Sequence, residues 1–125
     1  MAFRLEREKT EMTPYVLIDE ENGYMKFEGV SYYGDVLKFF REIGDWLDGF
    51  LETDFTSFTF DCEMRYFNSS TIKLLMNMLI DMDNAKNSEN ITVNWIADKS
   101  NEIIIECGQD FQEDLSRLQF NLVIK

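Results

Sequence analysis

Histidine is missing from the 125 residues of this chain, and proline and cysteine are scarce, with one and two copies. Without histidine the chain has no imidazole, the most frequent general base and the commonest ligand of transition metals. We therefore expect no metal, no cofactor and no catalytic triad. Cys62 and Cys107 lie far apart and form no metal-binding pair. One disulfide between them is conceivable, but two buried free thiols in a reducing compartment are the favoured state.

Basic residues are few, since 12 lysines and arginines stand against 24 aspartates and glutamates, for a formal net charge of -12. Such a chain has little with which to replace the counterions of nucleic acid or to bind an anionic membrane. It also has no apolar run long enough to cross a bilayer, and residues 1–13 contain no signal-peptide core. We expect a cytoplasmic protein whose acidity serves solubility or, as the alternative, a basic partner surface.

What the chain does contain is enough apolar material for one compact domain, with 45% hydrophobic and 14% aromatic residues. Residues 1–13 are predicted to be a flexible leader and residues 14–125 a single domain. The spacing of apolar residues predicts the order β-β-α-β-α-β-α-β. The predicted strands are residues 15–18, 24–28, 58–65, 91–96 and 120–124, and the predicted helices are residues 36–51, a segment that ends near 84, and 98–116.

The connections between these elements have their own signals. Asn22-Gly23 predicts a hairpin, because both residues tolerate positive φ. Residues 29–34 are predicted to be a turn, followed by Asp35 as a possible helix N-cap. Residues 103–105, three isoleucines, fit a strand or a helix, and the apolar residues after them favour the helix.

Nearly every predicted strand alternates apolar and polar residues, which is typical of a sheet with one buried and one partly solvated face. Helices that connect parallel strands make right-handed crossovers. The fold class we predict is therefore α/β, a small open mixed β-sheet with helices mainly on one face.

Residues 58–73 carry the pattern most relevant to function. Apolar and polar residues alternate through the predicted strand 58–65, and from Ile72 onward apolar residues recur at helical spacing. Residues 68–71, Asn-Ser-Ser-Thr, therefore lie where a strand ends and a helix starts. Such a junction exposes free backbone N–H groups and the positive end of the helix dipole, so its three hydroxyls are suited to carry or bind a phosphate.

Three interpretations of this junction stay open on the residues alone. Asn68 could simply cap the helix, with the hydroxyls of Ser69, Ser70 and Thr71 facing water. A phosphoryl group on one hydroxyl could act as a docking switch, with Lys73 as a partner for the phosphate. Finally, Ser70 and Lys73 fit the short S-x-x-K pattern of serine hydrolases, although the companion motifs are absent. Ser69 and Ser70 cannot be separated on these physical grounds.

Six segments in order resemble the SiaC-type regulatory phosphoproteins, which have a STAS-like, anti-anti-sigma-like fold. The resemblance covers the chain from about residue 13 to residue 124. The segments that carry it are residues 13–14 (TP), 28–32 (EGVSY), 45–47 (DWL), 66–73 (YFNSSTIK), 91–95 (ITVNW) and 120–122 (FNL).

The resemblance implies a non-catalytic switch of bacterial signalling. In the family, a dedicated kinase and a PP2C-type phosphatase control the hydroxyl residue directly after the asparagine of Y-[LF]-N-[ST], which here is Ser69. Ser70 and Thr71 are less favoured acceptors. The unphosphorylated form would bind and activate a partner, a diguanylate cyclase, and so promote cyclic-di-GMP signalling and biofilm growth. The expected partner-binding residues around the acceptor are Tyr66, Phe67, Asn68, Ser70, Thr71 and Lys73.

Two residues depart from the family pattern. Ser69 stands where the family often has threonine, and serine can still be phosphorylated. Tyr33 stands where the family often has proline, which affects the loop before the first helix. The alternative functions are a constitutive protein-docking module without phosphorylation and, less favoured, a Ser-Lys hydrolase.

Overall fold

The computed structural model of the chain describes residues 2–32 and 36–125, with the backbone alone at residues 36 and 37. It is a mixed α/β structure. Its elements are β1 (Arg4–Arg7), β2 (Tyr15–Asp19), β3 (Tyr24–Ser31), α1 (Val36–Leu51), β4 (Phe58–Phe67), α2 (Ser69–Asp83), a short 3-10 turn (Ser88–Asn90), β5 (Ile91–Ala97), α3 (Glu102–Asp114) and β6 (Gln119–Ile124).

The six strands form one open sheet in their sequence order, β1 to β6. Strands β1, β2 and β3 pair antiparallel, and β3, β4, β5 and β6 pair parallel. Each parallel connection contains one helix and advances in the same direction across the sheet. Right-handed crossovers then place all three helices on the same face, so the predicted open mixed sheet with one helical layer is confirmed.

The core lies between this helical layer and the inner face of the sheet. Every second strand residue is buried, and the residues between them stay partly exposed. In α1 the buried apolar side chains pack on the sheet, and the Phe27 ring lies 5.3 Å from Phe40 and 5.0 Å from Phe60, both edge to face. Full burial of such side chains contributes about 1.5–3 kcal/mol each. This packing offsets the helix cost of Gly44 and Gly49, and α1 runs through both glycines.

The other face of the sheet carries a row of polar side chains that bind one another across four strands. Tyr24 donates a hydrogen bond of 2.7 Å to Asp61, and Asn94 donates one of 2.8 Å to the second oxygen of the same carboxylate. Asn121 donates to Asn94 over 3.0 Å. A partly solvated face of this kind accounts for the alternating pattern of the strands.

Strand β1 was not predicted, and Arg4–Arg7 of the predicted flexible leader form a strand. These residues pair with β2, and Leu5 packs partly buried against the core. A strand of four residues with one apolar side chain gives too short a pattern to detect. The division of the chain into a leader and a domain at residue 14 stays a prediction.

The predicted turn at residues 29–34 was wrong at its start, because β3 continues through Ser31. Gly29 has φ 121° and marks a bulge, where the pairing with β4 shifts by one residue. Asp35 and Tyr33 lie outside the described residues.

The hairpin before β3 is confirmed, but only Gly23 has positive φ there. The prediction of a helix at residues 103–105 is also confirmed, although α3 starts at Glu102 rather than at residue 98.

Candidate functional site

The start of α2 is fixed by Asn68, which confirms the predicted N-cap. Its side-chain oxygen accepts a hydrogen bond of 2.9 Å from the backbone N–H of Thr71. Its own backbone N–H donates to the carbonyl of Ser31 over 3.0 Å, and its side-chain amide donates to the carbonyl of Tyr32 over 3.2 Å. Asn68 therefore both caps α2 and ties the first turn of that helix to the end of β3.

Thr71 is fully buried, so the expectation that all three hydroxyls face water was wrong for this residue. Its hydroxyl lies 2.8 Å from the hydroxyl of Ser31, which is also fully buried. The helical period explains the burial, because Thr71 lies on the same face as Leu75, Met78 and Met82. A kinase could reach Thr71 only after this part of the core had opened.

Ser69 and Ser70 are both exposed. They lie on different sides of α2, because successive helical residues point about 100° apart. Ser69 is in line with Ile72 and Met76, which line a cavity shared with α3. Ser70 is in line with residues that line a cavity shared with α1, among them Leu74 and Asn77. The two hydroxyls, which the sequence pattern could not separate, therefore open toward different sides of the helical layer.

The first turn of α2 contains no acidic residue. The backbone N–H groups of Ser69 and Ser70 have no partner within the helix, since only later residues can donate to a carbonyl four positions back. Together with the helix dipole they make this turn favourable for a negative group. Lys73 is exposed one turn further along.

The geometry of the described residues offers no support for the Ser-Lys hydrolase. Among the hydrogen bonds of the described residues, none joins Ser70 to Lys73 or activates the Ser70 hydroxyl. A nucleophilic serine needs a base within hydrogen-bond reach, and the only hydroxyl pair of this turn, Ser31 with Thr71, is closed to solvent.

The other predicted site residues surround the junction in different ways. Tyr66 is 45% exposed and stacks on Tyr32, which is 46% exposed, with ring centroids 4.7 Å apart. Phe67 is partly buried and packs edge to face on Trp95 at 6.1 Å. The structure thus brings Tyr66, Ser70 and Lys73 to the surface near Ser69, whereas Phe67 and Asn68 mainly support it.

Tyr32 and Asn101 were not among the predicted site residues. The parallel register pairs Val30 with Tyr66, which brings the end of β3 beside the end of β4 and makes the tyrosine stack possible. Asn101 caps α3 and donates a hydrogen bond of 2.9 Å to the carbonyl of Arg65. The signal for both was the predicted parallel sheet, because the carboxyl ends of neighbouring parallel strands meet at one edge.

Within residues 2–32 and 36–125, no helix has the length and apolar character that a membrane crossing requires. Cys62 and Cys107 are free thiols, and burial raises the pKa of both. Cys107 is only partly buried, which corrects the expectation of two buried thiols.

Known proteins are similar to this chain in sequence and in fold. The chain matches the SiaC family of regulatory phosphoproteins over residues 7–125. An uncharacterized protein of Pseudomonas aeruginosa strain UCBPP-PA14 is 29% identical over 108 residues, which are 86% of each chain. SiaC of Pseudomonas aeruginosa superimposes with a TM-score of 0.85 at 26% identity, covering 98% of this chain and 99% of that one.

A second solved structure is the complex of the diguanylate cyclase SiaD with its activator SiaC, also from Pseudomonas aeruginosa. The matching chain has a TM-score of 0.85 at 28% identity, with 97% of this chain and 99% of that chain covered. The family match includes strand β4, the cap Asn68 and the whole of α2. The chain therefore belongs to the SiaC family of regulatory phosphoproteins.

Proposed function

We propose that this protein is a non-catalytic switch of bacterial signalling that is phosphorylated on Ser69. The observation that carries the proposal is the exposed Ser69 hydroxyl in the first turn of α2, directly after the cap Asn68. Membership of a family of regulatory phosphoproteins supports the presence of such a site. A dedicated kinase would add the phosphate, and a PP2C-type phosphatase would remove it.

The first turn of α2 can accept a phosphate without unfolding. A phosphoryl group adds about -1.5 to -2 charges and three acceptor oxygens. The free N–H groups of Ser69 and Ser70 and the helix dipole stabilise negative charge there, and Lys73 lies one turn away. The modification would therefore change the surface and leave the fold in place, as a reversible docking switch requires.

We further propose that the unphosphorylated form binds and activates a diguanylate cyclase, and so controls cyclic-di-GMP and biofilm growth. The support is the relative SiaC, an activator that forms a complex with the diguanylate cyclase SiaD. The switch would act in the cytoplasm, where the nucleotides used by the kinase and the cyclase are found. Exposed Tyr66, which stacks on Tyr32, and exposed Lys73 would lie at the partner surface.

The experiment combines phosphate mapping with partner recovery from the native cells. Intact-mass and phosphopeptide analysis should find one phosphate, on Ser69. Tagged Ser69→Ala should recover a diguanylate cyclase and raise its synthesis of cyclic-di-GMP, whereas Ser69→Asp should recover at least about tenfold less, a difference of about 1.4 kcal/mol in binding. Ser70→Ala and Ser70→Asp are the matched controls, one residue along the same exposed turn.

Three other results would contradict the proposal, each in a different way. Phosphate on Ser70, with loss of the partner only for Ser70→Asp, would show the wrong acceptor. Equal recovery with Ser69→Ala and Ser69→Asp would defeat the switch. Steady partner binding with no phosphate under any growth condition would establish the constitutive docking module, for which the exposed Tyr32–Tyr66 stack is the favouring observation.

A further inference from the structure

Helices α2 and α3 leave an open groove between them. Helix α2 packs along α1, and α3 packs mainly on β6, so α2 and α3 share few backbone contacts. Two adjoining cavities of about 320 and 400 Å³ follow the line between them and share Met76, Phe111 and Asp114. From Ile72 to Asn84 the groove follows α2 for about 18 Å, at 1.5 Å per residue.

Apart from its acidic rim on α3, the groove is lined mainly by apolar side chains, with Asp83 and Asn84 at the end far from Ser69. Met76 is 40% exposed and Ile80 is 42% exposed, one turn apart on α2. On the α3 side, Cys107 and Phe111 line the groove. Ile103, which is 73% exposed, lies one turn before Cys107 on the same face of α3 and extends this surface toward the Ser69 end. Single exposed apolar residues are ordinary, whereas apolar side chains grouped along one groove are typical of an interaction site.

The rim of the groove on the α3 side is acidic. Asp110, Glu113 and Asp114 are exposed there, and none of them takes part in a salt bridge found in the described part of the chain. The residues that line the two cavities include no lysine or arginine. The groove therefore combines an apolar floor with unneutralised negative charge along one side.

We propose that this groove is the docking site for an amphipathic helix of the partner, with an apolar stripe flanked by lysine or arginine. A groove of about 18 Å accommodates about three turns of such a helix, with anchors at i, i+3, i+4 and i+7. The basic flank follows from charge complementarity with the acidic rim. A second copy of this chain is disfavoured as the occupant, because it also carries a net charge of -12.

This inference rests on the proposed function and adds a mechanism to it. Ser69 lies on the side of α2 that faces α3, one turn before Ile72. It is therefore at the end of the groove that Ile72 and Cys107 line. A phosphate there would face the apolar stripe of the docked helix, because the basic flank of that helix faces the acidic rim on α3. Docking would therefore strip water from the phosphate. A phosphate on Ser70 would lie on the side of α2 that faces α1 and would leave the groove open.

The test places a photo-crosslinking amino acid at Met76 in the full chain, in its native cells, and compares it with the same probe at Val123. Val123 is 38% exposed on β6 and serves as the matched control. The Met76 probe should capture a partner peptide with helical apolar spacing and an excess of basic residues, and the Val123 probe should not.

With the captured protein purified, Ile80→Asp should weaken binding about tenfold or more and Val123→Asp should not. Asp114→Lys should weaken binding and reduce its salt dependence.

The outcomes separate this inference from the proposed function. Crosslinks at Met76 to a second copy of the chain, to an acidic segment or to nothing would overturn the groove as the docking site. The groove is also overturned if Ser69→Asp releases the partner while Ile80→Asp does not, and the switch then still stands. If Ile80→Asp releases the partner but Ser69→Ala and Ser69→Asp bind alike, the groove stands and the switch fails.

Discussion

Four consecutive polar residues at the start of α2 occupy four different environments. Asn68 caps the helix, Ser69 is exposed on the α3 side, Ser70 is exposed on the α1 side, and Thr71 is buried against Ser31. Two successive helical residues differ by about 100° in direction, which separates side chains that look equivalent in the sequence. At the scale of single residues, Asn68 and Thr71 hold α2 in place, whereas Ser69 and Ser70 are exposed to solvent.

The buried hydroxyl pair can be tested with a double-mutant cycle. Thr71→Val should lower the free energy of unfolding by about 1–3 kcal/mol, because the Ser31 hydroxyl would be left buried without its partner. Adding Ser31→Ala should cost less than the sum of the two single changes, since neither hydroxyl then remains unpaired. Urea unfolding measures both effects, with exposed Ser70→Ala as the control, expected to stay within about 0.5 kcal/mol of wild type. Additive losses would mean that the pair has no net coupling.

The sequence contained part of this information. The order of an asparagine, hydroxyl residues and an apolar helix predicted the cap, because capping depends on local chemistry. The burial of Thr71 could have been found from its spacing to Leu75 and Met78, which places it on the apolar face of α2. The role of Ser31 could not, because the two hydroxyls are 40 residues apart and meet only when β3 and β4 pair.

At the scale of the elements, α1 and α2 face each other across a cavity that contains several charged groups, Arg41, Asp45, Asp48 and Asp81. Partial burial raises the pKa of Asp81, and the neighbouring carboxylate of Asp48 raises it further through its charge and a hydrogen bond. Because the pKa of Asp81 is higher in the folded state than in the unfolded chain, its ionised form opposes folding. Its contribution to stability is fully present below the unfolded-state pKa and is lost as pH rises through the folded-state pKa.

We therefore expect Asp81→Asn to stabilise the protein at neutral pH, by about 0.5 kcal/mol because the side chain is largely exposed and screened. The advantage over wild type should shrink as the pH is lowered and Asp81 takes up its proton. Urea unfolding from about pH 7 down to about pH 4 spans this range. Asp110→Asn removes the same charge from α3 and controls for the general relief of net charge. A stability gain for Asp81→Asn that does not change with pH would contradict the pairing with Asp48.

How much of the fold the sequence predicts depends on the length of each pattern. The helices and the five longer strands were predicted because they contain enough residues for a period of 3.6 or 2 to be visible. Strand β1 was missed because it is short and its stability depends on pairing with β2. The bulge at Gly29 was taken for a turn, since a glycine signals an unusual backbone angle without saying which structure uses it. The groove between α2 and α3 depends on how two helices pack, which no single segment encodes.

At the scale of the whole molecule, the chain combines a large negative charge with a firmly packed sheet and a helical layer. Added negative charge would raise the overall self-repulsion, yet the first turn of α2 is the place where one more charge is compensated locally. A phosphate on Ser69 would then change the surface proposed to bind the partner while the core between sheet and helices stays the same. The switch proposed for Ser69 depends on this separation of surface and fold.

Because the surface at Ser69 can change without a change in the core, we predict that Ser69→Asp does not unfold the protein. We expect its free energy of unfolding to equal that of wild type or to exceed it by up to about 0.5 kcal/mol, because the acidic side chain meets the positive end of the helix dipole. Asn84→Asp is the matched control, since it adds the same charge at the C-cap of the same helix, where the dipole makes the charge unfavourable, at about 0.3–1 kcal/mol. Urea unfolding and hydrogen exchange of α2 would measure both variants. If Ser69→Asp lost more than about 1 kcal/mol or exposed the amides of α2 to exchange, then its loss of a partner would reflect a damaged fold and not a switched surface.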